Sequence, residues 1–184
     1  MSSGKVLELN MSFIEVGFIS YLGLNVFSVQ YNPQNAQARQ NMLKASYLAG
    51  VAFTKSYVGY VHAIAHTLGG AYGVAHGLAN AIILPVVLRE YGTAVHKKLA
   101  IFARHINIAT QEETDEQASN KFINWIERLN SYFDIPTKIE QIKQEDIVKL
   151  AKIADTEANP LYPVPKLWGK AELEKIYKML SVND

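Results

Sequence analysis

Three of the chain's five histidines fall within fifteen positions, and the residues around them leave few ways to fold. From Tyr57 to Ala81 the sequence is rich in small and apolar residues, and the run around His62 and His66 reads as helix. His62 and His66 stand four apart in it, so both imidazoles project from one face. Gly69, Gly70 and Gly73 are expected to break that helix and let the backbone turn, bringing His76 back near the first pair. The stretch therefore predicts a helix, a Gly-rich corner and a second helix, with imidazoles gathered around one point.

That spacing can serve a metal or an anionic cofactor. A histidine among Ala and Ile is also commonly a hydrogen-bonded core residue, and glycines at a helix corner commonly serve close packing. Burying three imidazoles costs desolvation unless each finds a partner, and a divalent cation is one partner that several can share. The chain has no cysteine, so disulfides and thiolate sites are excluded and any metal is held by His, Asp or Glu. A cysteine-free chain also fits a reducing, cytoplasmic setting.

The 184 residues suffice for one domain with a continuous core. With a formal net charge of +1 and no basic stripe, nothing points to nucleic acid. Residues 1–31 form a divergent apolar segment, within which 11–29 approaches transmembrane length. Glu15 and Asn25 argue against a span, and a buried helix or strand is expected there, with no membrane partner. Residues 32–184 read as an all-α bundle of about six or seven helices.

Asn32 and Pro33 are expected to open the first of these helices, running to about Thr54. Its small-residue end, Ala49 to Ala52, is expected to pack on the His-bearing helix. A helix with Pro85 inside follows His76, then one over about 94–107. Thr110 and Glu113 suggest a capping box opening a helix with Phe122, Trp125, Ile126 and Leu129 inward. The acidic run Glu112, Glu113, Asp115 and Glu116 reads as a solvated helix start. His96 and His105 read as solvent-edge or helix-terminal residues. A helix over about 145–154, an extended Pro-rich stretch at 160–165 and an amphipathic helix over 171–180 complete the chain.

Gly50, Phe53, Gly59, His62-Ala-Ile-Ala-His66, Leu68-Gly69-Gly70, His76-Gly77, Asn80-Ala81 and Leu84-Pro85, with Asn159-Pro160 and Pro163-Val-Pro165 further on, resemble the iron-containing (group III) alcohol dehydrogenase family over residues 34 to 184. One departure is Ala75, where members usually carry Pro. The resemblance implies the C-terminal, dehydroquinate synthase-like helical domain of such enzymes. It implies that His62 and His76 are two of four ligands to iron or zinc, that His66 is a proton-relay catalytic residue, and that Phe53 lines the substrate channel. NAD or NADP would be the cofactor and a small alcohol or aldehyde the substrate.

Two parts of the family pattern are missing. No Asp is followed by a His four residues later, and no Gly-rich phosphate loop after a strand is present. The expectation is a truncated, cytoplasmic, homo-oligomeric (dimeric) alcohol dehydrogenase, inactive without its dinucleotide-binding domain. The alternatives are a non-catalytic helical interaction module, or a small metal-binding protein using His62, His66 and His76.

Overall fold

The computed structural model describes residues 25–182, and among them the fold is all-α. Its helices are α1 (25–31), α2 (Ala36–Ser56), α3 (Tyr60–Tyr72), α4 (His76–Tyr91), α5 (Thr93–His105), α6 (Asp115–Tyr132), α7 (Ile147–Ala158) and α8 (Lys170–Leu180), with a 3₁₀ turn at Gln144–Asp146. The sole strand-like pairing among the described residues is an isolated parallel bridge between Ile139 and Ser181. Of the apolar stretch 11–29, residues 11–24 lie outside the described residues, and 25–29 belong to α1. Among the described residues no single helix is long and apolar enough to cross a membrane.

The bundle is built around α3. It packs on α4 along one side and on α7 along the other, α7 packs on α8, and α4 reaches both α6 and α8. Tyr60, Ala63, Ile64 and Leu68 recur at helical spacing and are fully buried. At about 1.5–3 kcal/mol for each large apolar side chain buried, these residues fix the rotation of α3. The stripe that stays open to solvent is then the one carrying His62, His66 and Gly70. Small residues make the close approaches: Ala151, Ala154 and Ala158 on α7, and Ala100 and Ala103 on α5, are all fully buried.

Two polar contacts pin α3 in this rotation. Near its N-terminus the Tyr60 hydroxyl accepts the Trp168 backbone N–H at 2.9 Å, and its own proton has Asn159 Oδ1 at 2.9 Å or Trp168 O at 3.0 Å as acceptor. The Tyr60 and Trp168 rings stack 5.0 Å apart, and Tyr91 stacks on Trp168 at 4.6 Å. Further along, the buried Thr67 hydroxyl pairs with that of Tyr177 on α8. Burial pushes the Tyr177 phenol well above its ordinary range, so it takes part in this bond as a neutral group.

Several boundaries differ from the sequence expectation. Gly69 and Gly70 lie inside α3, and Gly73 alone ends it. Gly73 adopts the left-handed conformation at φ 69°, with its N–H on Gly69 O at 3.0 Å, a cap for which glycine is best suited. The cap of α2 is Asn35, whose side chain accepts Ala38 N–H at 3.0 Å. Asn32 and Pro33 form the turn before it, because Asn32 Oδ1 accepts Gln34 N–H and closes a local turn.

Helix α6 is capped by Thr114 and Gln117, not by Thr110 and Glu113. Thr110 N–H does bond the Glu113 carboxylate at 2.8 Å, but Arg104 takes the Thr110 and Glu113 carbonyls at 3.2 and 2.6 Å and holds 110–113 as a loop. The 3₁₀ turn precedes the helix expected near 145, which runs on to Ala158. Nor does the small-residue end of α2 pack on α3, whose flanks are taken by α4 and α7. A Cβ placed on Gly50 would meet nothing within 4 Å.

Tyr60→Phe is expected to destabilise the fold by about 1–3 kcal/mol in urea denaturation, because the buried Trp168 N–H loses its acceptor. Gly73→Ala is expected to cost about 1–2 kcal/mol through its left-handed backbone. Gly70→Ala, where the added Cβ meets nothing within 4 Å, should instead gain about 0.5–1 kcal/mol as a mid-helix replacement. Equal effects of the two glycine changes would contradict the assignment of Gly73 as the sole terminator.

Candidate metal centre

The left-handed turn at Gly73 returns the chain so that His76 opens α4 beside the open stripe of α3. The ring centroids of His62 and His66 lie 6.0 Å apart, those of His62 and His76 5.4 Å, and those of His66 and His76 5.2 Å. The three sequence-expected imidazoles are therefore together. Phe53 is not with them. It is 54 % exposed on α2, lining a shallow groove of about 400 Å³ with Tyr47, Gly50, Val51 and Thr54. His105 is exposed at the end of α5, and His96 is partly exposed on the same helix.

Each ring has a distinct electrostatic setting. Burial lowers the pKa of His62 from its ordinary value, and the neighbouring His76 and His66 lower it further, against a weaker opposite pull from Glu157. His62 is thereby biased toward the neutral form, the form that donates a lone pair. His66 Nδ1 lies 2.7 Å from Oε1 of Glu157 on α7, and the same oxygen accepts the Tyr162 hydroxyl at 2.8 Å. His76 Nε2 accepts an N–H of Asn80, one turn further along α4, at 2.9 Å. The Oδ1 atom of Asn80 is buried without a hydrogen-bond partner.

Sequence reading missed Glu157, Asn80 and Tyr162 as parts of this site. Asn80 carried a signal, since it stands four after His76 and so shares its helix face. Glu157 carried none, being 91 residues from His66 in the chain.

A cleft of about 430 Å³ opens between α3 and α7, lined among others by His66, Tyr72, Asp146, Lys149 and Glu157. Asp146 accepts the Tyr72 hydroxyl at 2.7 Å. Neither His62 nor His76 lines this cleft.

The donor set tests whether a metal fits. Two imidazoles bound to one tetrahedral ion, with metal–nitrogen distances of about 2.0–2.1 Å, place their ring centroids roughly 5 Å apart. The 5.4 Å between His62 and His76 and the 5.2 Å between His66 and His76 both match such a pair. The match stops at two: among the described residues no group of three or more His, Cys, Asp or Glu side chains is arranged to hold an ion. The Nε2 of His76 is already engaged by Asn80, while the Glu157 contact of His66 uses only its Nδ1. The residues present fit one wall of a metal site and do not close it.

Comparison with known proteins gives this wall a context. Residues 11–181 match the Fe-containing alcohol dehydrogenase family, C-terminal, so the match begins inside the apolar N-terminal stretch, before residue 34. The chain is 36 % identical over 146 residues to 1,3-propanediol dehydrogenase of Citrobacter freundii, covering 78 % of this chain and 38 % of that protein. It is 37 % identical over 129 residues to alcohol dehydrogenase 4 of Saccharomyces cerevisiae, covering 68 % of this chain and 32 % of that one.

Among solved structures, a 1,3-propanediol oxidoreductase superposes with a TM-score of 0.83 at 32 % identity, over 90 % of this chain and 44 % of that one. An alcohol dehydrogenase from Oenococcus oeni does so with a TM-score of 0.83 at 30 % identity, over 90 % of this chain and 43 % of that one. The chain thus spans about two fifths of the length of the relatives it matches. It belongs to the Fe-containing alcohol dehydrogenase family, and the part it matches is that family's C-terminal helical region.

Proposed function

We propose that this chain provides the metal-side helical half of an NAD- or NADP-dependent alcohol dehydrogenase acting on small alcohols and aldehydes. The observation that carries the reading is the convergence of His62, His66 and His76 from α3 and the start of α4. Relatives with NAD-dependent methanol dehydrogenase activity in Bacillus methanolicus and NADPH-dependent butanol dehydrogenase activity in Clostridium saccharobutylicum support the cofactor and substrate class.

In this reading His62 and His76 would hold a divalent ion, iron or zinc, from one side. When bound, the ion supplies Lewis acidity to an alcohol oxygen, favouring its deprotonation. The chain's own residues do the rest of what is assigned here. His62, held below its ordinary pKa by burial, presents a neutral imidazole. His76, in the first turn of α4, would hold the ion through the Nε2 that now accepts from Asn80. His66, steadied by Glu157, takes up and passes on the proton that the alcohol releases.

The remaining ligands and the nicotinamide-binding surface come from protein outside the described residues, and without them the chain does not turn over. Phe53, exposed on α2, is assigned to the substrate side. The exposed Leu43, Tyr47 and Phe53 of α2 support a further protein surface meeting this helix, in a dimeric assembly. The absence of cysteine supports a cytoplasmic setting.

The test is metal retention. After equilibration with zinc and rapid desalting, the native chain is expected to hold zinc weakly, below one ion per chain, by elemental mass spectrometry. His62→Ala and His76→Ala are each expected to weaken binding about tenfold or more, the scale at which disturbing a ligand set lowers metal affinity. Far-UV circular dichroism should stay nearly unchanged, since His76 is exposed and His62 only half-buried. Equal retention in all three proteins would place any metal elsewhere, and loss of helicity in a variant would make that histidine structural.

A further inference from the structure

The contact between His66 and Glu157 is the feature of the site that the family resemblance does not account for. Glu157 projects from α7 into the edge of the imidazole cluster, and its Oε1 lies 2.7 Å from His66 Nδ1. A carboxylate only accepts hydrogen bonds, so the imidazole proton in this pair is on Nδ1. In the neutral ring the lone pair is then left on Nε2.

The carboxylate is itself held in place. The Tyr162 hydroxyl donates to the same Oε1 at 2.8 Å, and Tyr162 is tied to the end of α7 by its N–H on Ala158 O at 2.7 Å. The adjoining Asn159 amide bonds Asp155 Oδ1 at 2.7 Å and Trp168 O at 2.8 Å. Burial, then the bond to Glu157, raise the Tyr162 phenol above its ordinary value, which keeps it a donor. The other carboxylate lining the cleft, Asp146, is taken by Tyr72, so Glu157 is the acceptor within the cleft that His66 uses.

We propose that Glu157 is a positioning residue for His66: its carboxylate fixes the imidazole with the proton on Nδ1 and leaves Nε2 as the atom that takes up and returns a proton beside His62 and His76. This rests on the reading of His66 as the proton-relay group. The role is a tautomeric one, comparable to the way an acceptor on one ring nitrogen sets the chemistry of the other. Glu157 itself gains and loses no proton in it.

The experiment is nitrogen-15 imidazole spectroscopy of the whole chain at pH 8.5, native beside Glu157→Leu and Tyr162→Phe. Native His66 should show a pyrrole-type nitrogen at Nδ1 and a pyridine-type nitrogen at Nε2. In Glu157→Leu the His66 signals should move to a tautomer mixture, with circular dichroism unchanged. Tyr162→Phe, which keeps the carboxylate, should retain the Nδ1–H form. Glu157→Ala serves in the same way if the leucine variant does not fold.

A pyridine-type Nδ1 in the native chain, a doubly protonated His66 at that pH, or an unchanged tautomer without Glu157 would overturn the assignment. So would a tautomer that shifts equally in Tyr162→Phe, since the loop and not the carboxylate would then set the ring. The readout does not depend on turnover. An Nδ1–H native spectrum in a chain whose zinc content is unchanged by His62→Ala and His76→Ala would sink the dehydrogenase reading and leave this geometry standing, whereas the reverse pattern would sink this assignment alone.

Discussion

The rotation of α3 about its own axis is the constraint on which the site depends. Tyr60, Ile64 and Leu68 are buried between α4 and α7, and rotating the helix would expose them while burying two imidazoles. The Tyr60 hydroxyl, joined to Trp168 and Asn159, fixes one end of the helix. The Thr67–Tyr177 pair fixes the middle. Both locks reach into segments more than ninety residues later in the chain, so the Pro-rich stretch and α8 help aim histidines they do not touch. A single left-handed residue, Gly73, then completes the cluster by reversing the chain into α4.

Three imidazoles within 6.0 Å of one another would repel if all were charged. Each ring has a different environment. His62 is half-buried and biased to the neutral form. His66 faces a carboxylate that a phenol also binds. His76 accepts from an amide that cannot itself be ionised. One buried amide oxygen, Asn80 Oδ1, is left without a hydrogen-bond partner within this arrangement, as is the buried Ser119 Oγ on α6.

Much of this was legible in the sequence. The all-α fold, the His62–His66 face and the return of His76 followed from helical spacing and from glycine as a helix terminator. What escaped was set by tertiary competition. Gly69 and Gly70 stay helical because the rest of α3 is buried tightly enough to carry two poor helix formers. The expected cap at Thr110 failed because Arg104 claims the carbonyls of that loop. Gly50 promised close packing but faces open space, since α3 already has both its neighbours. Glu157 was invisible because a carboxylate near the end of an amphipathic helix has no local mark that separates a solvated charge from a partner 91 residues away.

The engagement of the rings also discriminates between the roles the sequence left open. A compact protein that holds an ion by His62, His66 and His76 alone needs three lone pairs turned to one point. Here the Nε2 lone pair of His76 faces the Asn80 amide, and among the described residues no group of three ligands is arranged to hold an ion. A purely structural cluster would account for burial and satisfied hydrogen bonds, but not for an exposed His66 whose carboxylate partner is held by a separate phenol. Under the proposed function His62 and His76 would face the ion, His76 by giving up its Asn80 contact, while His66 is oriented through its other nitrogen, a division that suits metal-assisted proton transfer.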